Sequence, residues 1–293
     1  MPATHDAYFS ANIFEAQLPG GEVPFGRQVL LDDGSDLGSD DYRIYSDRQD
    51  AIDDNDANEL SDFALDAVES ALGEGVDDIA VWSVDISGGD TWDGELDSLR
   101  SSDLTYFVTH ISSRTDEDVE TASTSAETYT TTESGQNFEL FIAQSSNTDL
   151  KDTSGDTLPT ELADADDQGW TAIRYHDDDS EPSEVRWAAN RLRFDLDETS
   201  PPWEGPMKNG ASLVTSLSST ERTQILDKDV AVGLPLGDED VYVAAGVVTS
   251  GRPIYEQATT AWFVTRVLNR LRDKRVEYSD RGDKIPINTD GQI

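Results

Sequence analysis

The chain has 293 residues and a mass of 32.1 kDa, enough for one large domain or two modest ones with a sizeable core. Its 61 acidic and 21 basic residues give a formal net charge of -40, which repels the phosphates of nucleic acid, and the absence of cysteine excludes disulfides, thiolate metal sites and cysteine nucleophiles. No run of about 18 apolar residues is present to cross a membrane, and residues 1–16 lack the basic start and apolar stretch of a secretory leader.

From the N-terminus, residues 7–25 carry apolar side chains without a helical period and are punctuated by Pro19-Gly20-Gly21 and Pro24, so they read as an extended arm. The clearest helix covers residues 56–73, where Leu60, Phe63, Ala64, Ala67, Val68, Ala71 and Leu72 recur at steps of three and four, and Gly73 and Gly75 stop it. Residues 77–87 and 104–112 read as strands with a short helix over 95–100 between them, a strand-helix-strand unit. Thr115 with Asp118 resembles a capping box opening a helix over 115–133, and residues 138–144 supply the next strand.

Beyond a polar linker around 151–156, the pattern predicts a helix over 158–164, a strand over 170–175 and a helix over 184–194. The run Pro201-Pro202-Trp203-Glu204-Gly205-Pro206 then reads as a break in all regular structure. A helix over 219–227, strands over 230–236 and 241–249, and a strong helix over about 256–275 follow. Lys284-Ile285-Pro286-Ile287-Asn288 reads as extended, because Pro286 cannot sit in a helix interior. This alternation predicts an α/β fold: a mixed-sheet α/β sandwich core with extended N- and C-terminal arms. The expected division is an arm and first strand over 1–40, a core over 41–200, its second part with the C-terminal helix over 201–278, and a C-terminal arm over 279–293.

The acidity is spread along almost the whole chain, with 41 Asp against 20 Glu and only five Lys. This composition resembles the proteins of salt-loving archaea and their viruses. Neighbouring carboxylates such as Asp177-Asp178-Asp179 repel within a screening length of about 8 Å in physiological saline, which shrinks to about 3 Å near 1 M salt. The fold is therefore expected to need molar salt.

Chemistry-bearing motifs are missing. The sequence has no G-x-G-x-x-G, no phosphate-binding G-x-x-x-x-G-K-[ST], no G-x-S-x-G and no H-E-x-x-H. His5, His110 and His176 have no metal-ligand spacing, and the acidic loop 32–41 misses the calcium pattern because Arg43 stands where a bidentate Glu is needed. With 61 acids, paired carboxylates carry no information. No catalytic residue, cofactor or metal is expected.

The informative asymmetry lies near the C-terminus. Between Arg252 and Lys284 eight cations, among them Arg266, Arg270, Arg272, Lys274 and Arg275, face five acids, an excess of three positive charges in a chain of -40. Either these balance neighbouring acids on their own helix, or they form a patch that docks head to tail on the acidic body of another copy.

The order of elements resembles that of contractile tail sheath proteins of myovirus-like tailed viruses. The residues that carry the resemblance are 23–31 (VPFGRQVLL), 42–46 (YRIYS), Gly251-Arg252-Pro253-Ile254-Tyr255-Glu256, the helix with Ala261-Trp262-Phe263, and 284–291 (KIPINTDG), similar to that family's K-I-P-Y-T-D-x-G segment. The resemblance implies a structural subunit without an enzyme site. It further implies copies stacked in rings or a helical lattice around a tail tube protein, with baseplate and tail terminator proteins as further partners, no direct nucleic-acid or membrane contact, and contraction that drives genome ejection. Terminal arms would add strands to neighbouring sheets, through Ile13 and Phe14 at one end and Ile285, Pro286 and Ile287 at the other, with Arg252 and the basic residues above as further interface. The implied location is the virion tail, assembled in the cytoplasm of a high-salt host. Family members generally continue past the Ile-Pro segment, which leaves open a minimal sheath, a capping subunit or a baseplate subunit. Another tail or baseplate protein, or a halophilic α/β enzyme, are the alternatives.

Overall fold

Strand β1, Gln28–Asp33, buries five of its six residues, as a strand covered on both faces must. Arg27 fixes its entry: Nε and Nη2 each donate to the Asp78 carboxylate at 2.7 Å. The computed structural model describes residues 27–38, 41–132, 138–153, 169–194, 203–207, 216–236, 240–254, 256 and 258.

The further elements, in chain order, are β2 (Tyr42–Tyr45), α1 (Arg48–Asp56), α2 (Asp62–Glu74), β3 (Ile79–Val84), α3 (Trp92–Ser101), β4 (Val108–Ile111), α4 (Asp116–Thr132), β5 (Leu140–Ser145), a 3-10 turn (Thr148–Lys151), β6 (Thr171–Tyr175), α5 (Ser183–Leu192), β7 (Gly205–Met207), α6 (Ser219–Leu226), β8 (Ala231–Leu236) and β9 (Asp240–Ala244). They build one nine-stranded sheet in the order β2-β3-β1-β4-β5-β6-β8-β9-β7. The pairs from β3 to β8 are parallel, while β2 on β3, β9 on β8 and β7 on β9 are antiparallel. The mixed α/β sandwich expected from the alternation is what forms.

Side-chain alternation assigns the layers. Val29 and Leu31 pack with α3, α4, the 3-10 turn and α6 on one face, through Leu96, Leu99, Val119, Ala122, Leu150 and Ile225. Leu30 turns to the other face, against α1, α2 and α5 through Ala51, Ala64, Val68, Val185 and Ala189. That second face continues under α5, where Trp187, Trp203, Met207, Val243, Val248, Ile254 and Ala258 form a further cluster. Residues 254, 256 and 258 are helical, so the C-terminal helix starts two residues before its expected position; the rest of it lies outside the described residues, as do the arms and the 158–164 helix.

Local sequence explains most boundaries. The Ser61 hydroxyl accepts from Ala64 N to open α2, and Gly75, at φ 101, closes it in the left-handed region that glycine occupies without penalty. Ser218 and Glu221 form a reciprocal capping box at α6. At α4 the Thr115 hydroxyl accepts from Asp118 N at 3.4 Å, whereas the Asp118 carboxylate turns to the hydroxyls of Ser113 and Thr115, so half of the expected box forms.

Three expectations need correction. The helix read over 56–73 starts at Asp62, and a separate α1 precedes it. Helix α1 buries Ala51 alone and is held by polar contacts, Arg43 Nη1 and Tyr45 Oη both donating to Asp54 at 2.6 and 2.8 Å, so no apolar period announces it. Second, the helix of the strand-helix-strand unit, expected over 95–100, runs from Trp92 to Ser101; the unit forms as β3-α3-β4, with β1 lying between its two strands and pairing with both. Third, Gly205–Met207 is a strand despite its proline, tolerated because it lies at the sheet's edge.

The turn that leads into the C-terminal helix is packed tightly on this region. A Cβ at Gly246 would lie 2.8 Å from both Glu204 N and Trp203 C, which are backbone atoms and cannot rotate away. Gly246→Ala is expected to destabilise the fold by about 1–3 kcal/mol, read as a lower urea midpoint at unchanged slope.

Candidate assembly interface

The two outer strands of the sheet differ. Strand β7 has three residues, its central Pro206 lacks an N–H, and the Pro206 carbonyl accepts from Arg191 Nη2 at 3.4 Å. Such an edge is closed to further pairing. Among the described residues strand β2 has no such block. Its register pairs Arg43 with Val81 and Tyr45 with Ile79, and Ser83 N donates to Asp41 O at 3.1 Å. Antiparallel ladders alternate, so the backbone groups of Asp41, Arg43 and Tyr45 turn to β3 while those of Tyr42 and Ile44 turn outward.

The body of the protein holds β2 firmly. The Tyr42 ring stacks on Trp82 at 5.7 Å with planes 10° apart, and its hydroxyl donates to Asp103 at 2.8 Å. Arg43 Nη1 donates to Asp54 and Glu59 at 2.6 and 2.7 Å, which raises the guanidinium further above its ordinary range, Asp54 contributing most. Burial, followed by the Asp54 hydrogen bond, pushes the Tyr45 phenol up. Ile44, at 41%, is the exposed large hydrophobic among the described residues. A rigid strand that offers outward backbone groups and one apolar side chain is suited to main-chain pairing with another strand.

Open α/β sheets bind small ligands beyond the carboxyl ends of their strands, where successive connections leave on opposite faces. Here that point lies between β1, followed by α1 and α2 on one face, and β4, followed by α4 on the other. Arg114 fills it. Its guanidinium carbon lies 4.8 Å from the Phe63 ring centroid, and Nη2 donates to Glu184 Oε1 at 2.7 Å. Across the same junction Asp33 N donates to Ser112 Oγ at 2.9 Å.

A row of polar side chains runs beneath α5: Gln28, His110, Gln144 and Arg174, all fully buried. His110 Nδ1 is 2.9 Å from Ile142 O and Nε2 is 3.1 Å from the Gln28 side chain. Burial pulls its pKa down from 6.5 to about 3, so the ring is neutral. The unfolded chain therefore binds a proton that the folded one refuses between those values. Stability is full above about pH 6.5 and falls as pH drops toward 3, by up to about 1.4 kcal/mol per pH unit. His110→Gln is expected to lose this increment, read as the difference between the two proteins' urea midpoints across pH 4–7.

Of the residues singled out from sequence, Arg252 is described. It is exposed, in the turn before the C-terminal helix, and its carbonyl accepts from Val248 N at 2.9 Å. Ile13, Phe14, Arg266, Arg270, Arg272, Lys274, Arg275, Ile285, Pro286 and Ile287 lie outside the described residues. Sequence reasoning missed the β2 edge, whose signal was Ile44 in a short alternating strand, and the enclosed charges: Arg174 and Glu184, buried, and Arg114, partly buried. Arg174 inside the apolar run of β6 was the one visible sign of the latter. Among the described residues no group of three or more His, Asp or Glu is arranged to hold a metal.

Among the described residues this architecture is a three-layer α/β sandwich in which β2 has a pairing partner on one side only. It is similar to a chain in the cryo-EM structure of the anti-feeding prophage (AFP) baseplate, six-fold symmetrised, with TM-score 0.59 and 11% identity over 92% of this chain and 75% of that one. It is likewise similar to a chain of the AFP helical sheath in its contracted state, with TM-score 0.56 and 9% identity over 94% of this chain and 78% of that one. At these identities the likeness is one of fold. No protein-family model matches the chain, and no curated protein sequence does.

Proposed function

We propose that the chain is a structural, non-enzymatic subunit of a contractile tail sheath. Copies polymerise around a tail tube, between baseplate and tail terminator proteins, and the lattice contracts to deliver the genome. The observation that carries this reading is the likeness of fold, over more than nine-tenths of the chain, to chains of an assembled sheath and baseplate. The outer side of β2, unpaired among the described residues, supplies the place for an added strand. In this reading residues 1–40 supply an arm and then the first strand of the sheet, 279–293 supply the second arm, and 41–200 with 201–278 complete the core, with Ile13, Phe14, Ile285, Pro286 and Ile287 donated to neighbours. Arg252, Arg266, Arg270, Arg272, Lys274 and Arg275 then meet the acidic body of another copy. The particle is a virion tail assembled in the cytoplasm of a high-salt host, a setting supported by the net charge of -40.

A baseplate or other tail subunit is the second reading, favoured by the higher TM-score of the baseplate chain, 0.59 against 0.56.

The test is Ile44→Pro. The Ile44 N–H points away from β3, so proline removes no bond within the sheet yet takes away an outward donor. The variant is expected to keep its melting temperature within about 2 °C while losing at least tenfold in sedimentable assembly. Undiminished assembly would remove β2 from the interface.

A further inference from the structure

We propose that Arg174 and the first turn of α5 hold one small monovalent anion of the halide class inside the protein. This is separate from the assembly reading and does not depend on it. Arg174 stands on β6 opposite Gln144 and is fully buried. Its Nε donates to the Ser183 hydroxyl at 3.0 Å, which aims the guanidinium at the N-terminus of α5, whereas Nη1 and Nη2 have no hydrogen-bond partner among the described residues. Nearby, Arg114 donates through Nη2 to Glu184, and its Nε is also unpartnered.

Donors exceed acceptors here. Three nitrogen atoms lack partners, against one oxygen, Glu184 Oε2. Among the described residues the fully buried Arg174 and the partly buried Arg114 share the one carboxylate of Glu184, an excess of one positive charge; Arg186, the next cation along α5, is already answered by Glu181 at 3.5 Å, and Arg191, further along the helix, adds to the positive field on Arg174. Burial lowers the Arg174 pKa to about 10, which still leaves it a cation at neutral pH. An unpaired buried charge is costly, and an anion beside Arg174 removes that cost.

The start of α5 adds to the site. Helix N-termini carry a partial positive charge and free N–H groups. Pro182, at the cap position, gives no side-chain hydrogen bond. Gln144 Oε1 accepts from both the Ser183 hydroxyl and Ser183 N and so occupies the first donor of the turn. The anion would lie against Nη1 and Nη2 of Arg174. Arg174 has no exposed surface, which favours a small ion over phosphate or an organic carboxylate.

General screening by salt acts on the surface and is nearly blind to which monovalent anion is present, whereas an internal site discriminates. The experiment compares melting of the full chain in potassium chloride and potassium gluconate at equal potassium, for wild type and Arg174→Leu. Bound chloride stabilises the folded state, so the chloride-minus-gluconate difference in melting temperature is expected to be at least about 2 °C larger in wild type. Equal differences in the two proteins overturn the proposal. If Arg174→Leu does not fold, crystals of wild type grown in bromide decide through anomalous scattering. A peak within hydrogen-bond distance of Arg174 Nη1 or Nη2 supports the site. Peaks confined to exposed Arg and Lys, an adventitious ion only, overturn it.

Discussion

Glu139→Leu is expected to destabilise the fold by about 3 kcal/mol or more. Glu139 is fully buried beside β5, where its carboxylate accepts from Arg100 Nε at 2.8 Å and Nη2 at 3.2 Å, and from the Thr109 hydroxyl at 2.9 Å. Arg100 itself is 5% exposed, with its guanidinium 4.5 Å from the Tyr129 ring centroid. Burial is the largest influence on the guanidinium and works against its charge, yet the charge and hydrogen bond of Glu139 outweigh it and hold the pKa above the ordinary value. Removing Glu139 leaves Arg100 a buried cation with the exposed Asp97, at 3.0 Å, as its remaining carboxylate. Taking both partners away has a different outcome. Arg100→Leu with Glu139→Leu is expected to recover most of the loss, since two apolar side chains require no pairing. Urea midpoints of wild type, both single variants and the double variant measure the coupling. Additive losses would contradict the assignment.

Trp187→Ala is expected to cost about 3–5 kcal/mol. The Trp187 ring is fully buried on α5 and meets Trp203 edge-on at 5.6 Å, with planes 89° apart. Its Nε1 donates to Trp203 O at 2.9 Å. The same cluster holds Val248, Ile254 and Ala258, so the loss reaches the start of the C-terminal helix as well as α5. Trp187→Phe retains most of the volume and is expected to cost less than half as much. Thermal melting in molar salt separates the two variants.

How far the fold could be read from residues follows from what holds each element. Helix α2 and strands β3, β5, β6 and β8 show their period or their apolar run because each is fixed by burial. Helix α1 does not, since Asp54 binding Arg43 and Tyr45 does the work that an apolar stripe does elsewhere. Nor does the position of β1 between β3 and β4, a matter of which connection crosses which strand, leave a mark on local pattern. At the interface the difference is sharper. An edge strand is defined by the neighbour it lacks, so Tyr42–Tyr45 reads the same whether it is central or outermost. The buried charges are hidden for a related reason: among 61 acids and 21 bases, Glu184 looks like any other surface acid until the sheet encloses it, and only the apolar neighbours of Arg174 on β6 mark that residue out. The basic residues 266–275 were legible as an asymmetry of charge, and their role stays with the proposal that copies meet head to tail.

The central claim is that copies of this chain build a sheath. Electron microscopy of the purified protein in about 3 M salt, where its carboxylates are screened, tests it most directly. The account predicts striated tubes or stacked rings, reduced by Ile44→Pro. Folded, dispersed monomers at that salt concentration would contradict it.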